Sequence, residues 1–167
     1  MKKINVMLVA TLFAISSACS TVPLTGRRQA NLVSDAEMQQ MAAQSYREVL
    51  SDPKTQVVNN TTQSRKVKEI GNNIKNAVTR FMSQQGLSAS IEGFNWEFNL
   101  LQSNDVNAWC MPGGKVAVYT GILPITLNDD GLATVMGHEI AHAIAKHSNE
   151  RYSNAMIAQG AGSILGG

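Results

Sequence analysis

The chain has 167 residues, of which 44% are hydrophobic and 16% charged, with a formal net charge of +2. That apolar share excludes disorder as the main character, and thirteen glycines with four prolines are too few for a collagenous or low-complexity chain. Lys2 and Lys3 account for the whole positive excess, so the charge balance offers no ground for nucleic-acid binding.

Residues 1–18 read as a removable secretory leader. Lys2 and Lys3 form a positive start, Val6 to Ile15 is apolar but for Thr11, and Ser16 and Ala18 are small residues just before Cys19. The apolar run is shorter than the about 20 residues a spanning helix needs, which leaves a buried N-terminal helix as the alternative. Small residues followed by cysteine resemble a bacterial lipobox, with Ser16 standing where such a box carries Leu. That resemblance implies cleavage before Cys19, lipidation of Cys19 and a membrane anchor built from its acyl chains. Ser20 after the cysteine, by resemblance to Gram-negative lipoproteins, points to a periplasm-facing protein of the outer membrane. Residues 19–33, with Pro23, Gly26 and the Arg27–Arg28 pair, are expected to be a lipid-anchored tether. Cys110 is then left without an intrachain partner, and a buried structural thiol is its expected state.

Ser34 and Glu37 have capping-box spacing and open a helix that Asp52–Pro53 ends. Its expected inner face is Met38, Met41, Ala42, Ser45 and Val49. A second helix is predicted over about 62–85, with Val67, Ile70, Ile74, Ala77, Val78 and Phe81 as its apolar stripe and Gly86 as its C-terminal cap. Phe94, Trp96 and Phe98 alternate with polar residues and predict a strand. Pro112, Gly113 and Gly114 make a turn into a second strand over 115–120, whose Val116 and Val118 alternate with their neighbours. Asn128, Asp129 and Asp130 cap a helix expected from about Gly131 to His147 or slightly beyond.

That last helix contains His138-Glu139-Ile140-Ala141-His142, an HExxH sequence. Residues four apart on a helix lie about 40° apart around its axis, so both imidazoles face one way and can converge on a zinc ion. Glu139 is the neighbour suited to take a proton from a zinc-activated water and pass it to a leaving amine. The plain alternative is a buried helix with two ordinary histidines. His147 does not stand where the metzincin pattern needs a third histidine, and it reads as a cationic residue at a helix C-terminus. A deformylase-like site recruiting Cys110, 28 positions before His138, lacks the flanking residues expected of it.

The stretch NAWCMPGGKVAVYTGIL at 107–123, followed by GHEIAHAIAKHSNER at 137–151, resembles peptidase family M48, which includes HtpX-type proteases and the CaaX prenyl protease. The resemblance implies a mostly helical, zincin-like (gluzincin) α+β domain over 34–167, with a small sheet beside the HExxH helix. It implies one zinc ion held by His138 and His142, with Glu139 catalytic. An extended polypeptide substrate would lie along an edge strand at 115–120, making Gly114, Val116 and Val118 the expected substrate-binding residues; an ordinary hairpin turn accounts equally well for Gly113 and Gly114. The family's third ligand is a glutamate on a later helix, and no acidic residue follows Glu150. The expectation is therefore a C-terminally truncated metalloendopeptidase of envelope proteins, its third ligand beyond residue 167. The alternative is an inactive envelope lipoprotein with a binding or chaperone-like role.

Overall fold

The computed structural model describes residues 19–22 and 24–165; the leader assigned to residues 1–18, and the side chain of Cys19, lie outside what it describes. Two short strands open the chain, β1 (Cys19–Thr21) and β2 (Arg28–Ala30), paired antiparallel. The stretch expected to be a tether is thus partly folded, with Val22 and Gln29 buried.

Helix α1 (Asp35–Ser51) begins where the capping box places it: the Ser34 hydroxyl accepts from the Glu37 N–H, and the Glu37 carboxylate accepts from the Ser34 N–H. Its inner face is Met38, Ala42 and Tyr46, whereas Met41 is 41% exposed. The stripe is rotated from the expected one because Tyr46 finds partners inside: its hydroxyl donates to the Val116 carbonyl at 2.9 Å and accepts from Asn99 at 3.0 Å. A hydroxyl so satisfied can be buried with its ring.

Strand β3 (Val57–Val58) leads into α2 (Thr62–Gln84), capped at its start by Thr61. Gly86, with φ of 69°, closes it while the Leu87 N–H reaches back to the Met82 carbonyl. Val67, Ile70 and Met82 are buried, but Phe81, expected on the stripe, is 48% exposed. Met82 takes the inward place in the last turn. A 3₁₀ turn (Ser88–Ile91) precedes β4 (Glu97–Leu101). The predicted strand therefore starts three residues late, although the Trp96 and Phe98 rings still stack at 6.1 Å. Next come β5 (Ala108–Met111), a strand beyond those expected, and β6 (Lys115–Tyr119). After a short helical turn, α3 (Leu123–Thr126), the helix α4 (Asp129–Ile144) carries the HExxH residues. It is capped by Asn128, whose side chain accepts from the Gly131 N–H. The last element, α5 (His147–Leu165), is separate.

The main sheet has the order β3-β4-β6-β5. β4 and β6 run parallel, while β3 and β5 pair antiparallel with β4 and β6 respectively. One face packs on α2 and α4 through Val67, Phe98, Val116, Val118, Met136 and Ile140. The other face, with Leu101 and Ala117, is covered by Tyr46 of α1, which meets the Trp109 ring edge-on at 5.7 Å. The architecture is α+β, with three layers.

Candidate functional site

Burial of one side of α4 aims the other side outward. Leu132, Met136, Ile140 and Ile144 point into the core, so His138 is left exposed and His142 half-buried. The Nε2 atoms of the two histidines lie 3.0 Å apart, with ring centroids at 4.4 Å. Two nitrogens bound at about 2.05 Å to a tetrahedral zinc are separated by roughly 3.3 Å. The pair therefore fits two of the four positions of such an ion. Among the described residues no group of three or more His, Cys, Asp or Glu is arranged to hold a metal.

Glu139, one residue along the helix, is half-buried and lies within electrostatic reach of the sheet. Its charge acts on the Cys110 thiol of β5, whose pKa is pushed up to about 12, first by burial and then by Glu139. Cys110 is thus a neutral thiol donating weakly to the Met111 carbonyl, and it joins no metal-holding group among the described residues.

The residues expected to line the substrate path are placed differently. β6 is an interior strand with hydrogen-bonded neighbours on both sides, and Val116 and Val118 are 0% exposed. Neither can present backbone or side chain to a substrate. Gly114 is a turn residue with φ of 81°, and its carbonyl accepts from the Glu97 N–H. A Cβ there would meet the Trp96 ring at 2.7 Å. The glycine thus serves close packing within the sheet. The edge of the sheet next to α4 is β5, whose free side is the one strand edge beside the HExxH helix among the described residues. Its four residues were too short a run to stand out from the turn that follows.

His147 is the other correction. Its expected place was the end of the HExxH helix, but that helix stops at Ile144, and Lys146 adopts φ of 58° before a new helix starts at His147. The bend brings His147 Nδ1 to 2.7 Å from His142 Nδ1. Partial burial, then the neighbouring His142 and Arg27, hold the His147 pKa below its ordinary value, which favours a neutral ring. The one signal in the sequence was the crowding of all three histidines into ten residues. Beside them lies an apolar cavity of about 450 Å³ bounded by Leu24, Val78, Phe81 and Met82.

Residues 70–166 match the family described as Peptidase family M48. The mitochondrial metalloendopeptidase OMA1 of Schizosaccharomyces pombe is 33% identical over 78% of this chain and 36% of its own length. Its Saccharomyces cerevisiae counterpart is 43% identical over 45% of this chain and 22% of its own. The metalloprotease YcaL of Escherichia coli is 36% identical over 38% of this chain and 25% of its own. The chain thus spans about a third or less of the length of these curated relatives. No solved structure matches it.

Proposed function

Since this chain belongs to peptidase family M48, we propose that it carries the zinc-binding and proton-transferring residues of a zincin-like metalloendopeptidase that cleaves proteins of the cell envelope. The observation that carries this reading is the convergence of His138 and His142 Nε2 to 3.0 Å on the outward face of a helix whose back is locked in the core. His138 and His142 would hold the metal. A bound zinc ion would supply Lewis-acid polarisation of a peptide carbonyl and a lowered pKa for water. Glu139, next to His138 on the same helix, takes a proton from the attacking water and returns it to the departing amine. Substrate in extended form pairs with the free edge of β5, the role that β6 cannot fill. The leader-like residues before Cys19 support export, and a lipidated Cys19 would hold the domain at the outer membrane. Among the described residues no helix is long and apolar enough to cross a membrane.

Casein cleavage by the zinc-loaded chain, compared with the Glu139→Gln variant, tests the proposal. Loss of a hundredfold or more of the rate, on the order expected for a general base, is the anticipated outcome. Zinc-dependent cleavage that survives the substitution removes Glu139 from its role. A second reading, an inactive binding or chaperone-like lipoprotein, draws support from the absence of a third metal-holding side chain among the described residues. It predicts no cleavage by either form.

A further inference from the structure

We propose that His147 is a positioning residue for the metal site: it accepts a hydrogen bond from the Nδ1–H of His142 and holds that ring with its Nε2 lone pair directed at the metal position. This rests on the reading of His138 and His142 as ligands, and it assigns the one histidine that the chemistry above leaves unused.

The geometry separates this role from that of a third ligand. His142 presents its two ring nitrogens to different partners, Nε2 to His138 at 3.0 Å and Nδ1 to His147 at 2.7 Å. Nitrogens on opposite sides of one imidazole point away from each other, so His147 cannot share an ion with His142 Nε2 and His138. Proton accounting then selects the direction of the bond. A neutral imidazole carries one N–H, and a ring that ligates through Nε2 must carry it on Nδ1. His142 therefore donates, and His147 accepts at Nδ1 while keeping its own proton on Nε2. The reverse arrangement would place the His142 proton on Nε2 and block the lone pair. An acceptor behind a ligating histidine fixes its tautomer and raises its basicity.

The fold takes particular measures to bring this acceptor into place. In an unbroken helix His147 would stand about 140° around the axis from His142. The left-handed backbone at Lys146, a conformation lysine rarely adopts, ends α4 and swings the chain back. The new helix is then pinned by the segment before α1. Arg27 grips both carboxylate oxygens of Glu150 at 2.6 and 2.7 Å, Asn149 donates to the Val33 carbonyl at 2.8 Å, and the Ser153 hydroxyl accepts from the Leu32 N–H at 3.0 Å. Lys146 itself pairs with Asp35 at the start of α1. Asn149 and Ser153 are almost wholly buried, so the bonds that these two side chains make are sheltered from water.

Zinc alone is the probe for the test. The affinity of the full chain is measured by competition with a chromophoric chelator for the wild type, His147→Phe and His147→Asn. Phenylalanine fills the space without an acceptor, whereas the asparagine oxygen stands close to the position of histidine Nδ1. Affinity weaker by about 10- to 100-fold in His147→Phe, with recovery in His147→Asn, is expected. Unchanged affinity in His147→Phe overturns the inference while leaving the zinc reading intact; a wild type that binds no zinc overturns both. Nitrogen-15 NMR of the zinc-loaded wild type needs no variant. A His142 proton on Nδ1, coupled to His147, supports the assignment, and a His142 Nδ1 without a proton refutes it.

Discussion

The two helices that meet at the histidines are held in opposite ways. α4, which carries His138, Glu139 and His142, is fixed from behind by Leu132, Met136, Ile140 and Ile144 in the main core. α5, which begins with His147, is fixed by polar contacts to residues 27–35. Apolar burial is non-directional and cumulative, so it resists displacement without specifying a rotamer. Hydrogen bonds and ion pairs are directional and exchange with water, so they set an angle at modest net stability. A ligand-bearing helix seated by the first kind of force and a supporting helix aimed by the second is a workable division: one supplies rigidity, the other orientation.

Substitutions that attack each mode separately would sharpen this contrast. Met136→Ala, at a fully buried position of α4, should cost about 2–5 kcal/mol through lost burial and a cavity, read from urea unfolding. A loss below about 1 kcal/mol would mean that α4 is not core-anchored. Asn149→Ala removes a buried donor from the Val33 carbonyl, and a cost of about 1–3 kcal/mol is expected. It should also expose the α5 amides to hydrogen exchange before those of α4; simultaneous exchange of both helices would erase the distinction. Arg27→Ala breaks the ion pair with Glu150 at the surface, where both groups are in contact with water. Its effect on thermal unfolding should be the smallest of the three and should vanish in about 1 M salt, where charges are screened within roughly 3 Å. A large, salt-independent loss would show that the clamp is not electrostatic.

Features written in short stretches of sequence were legible. The capping box at Ser34 and Glu37, the glycine after Gln85 and the asparagine before Asp129 each act on backbone groups within one turn, so their consequences follow from neighbours alone. The inner faces were legible only to within a residue or two. Met41 and Tyr46 lie on adjoining stripes of α1, and the choice fell to Tyr46 because Val116 and Asn99 satisfy its hydroxyl. Strand order was not legible. Val116 and Val118 alternate as an edge strand's residues would, but β4 pairs with one side of β6 and β5 closes the other.

The sequence by itself therefore determined the pairing of His138 with His142 and the position of Glu139 beside them, because the pitch of a helix converts a spacing of four into a shared face. It also carried enough of its family's pattern for membership in peptidase family M48 to be read from residues 107–151. Only the tertiary structure decided that β5 is the edge beside the site, and that His147 returns to His142. Both depend on contacts between residues far apart in the chain: strand neighbours in one case, and in the other a helix clamped by Arg27, Val33 and Asp35 after a left-handed turn at Lys146. Local periodicity carries no term for such contacts, and they are what turn a third nearby histidine into a partner of the second.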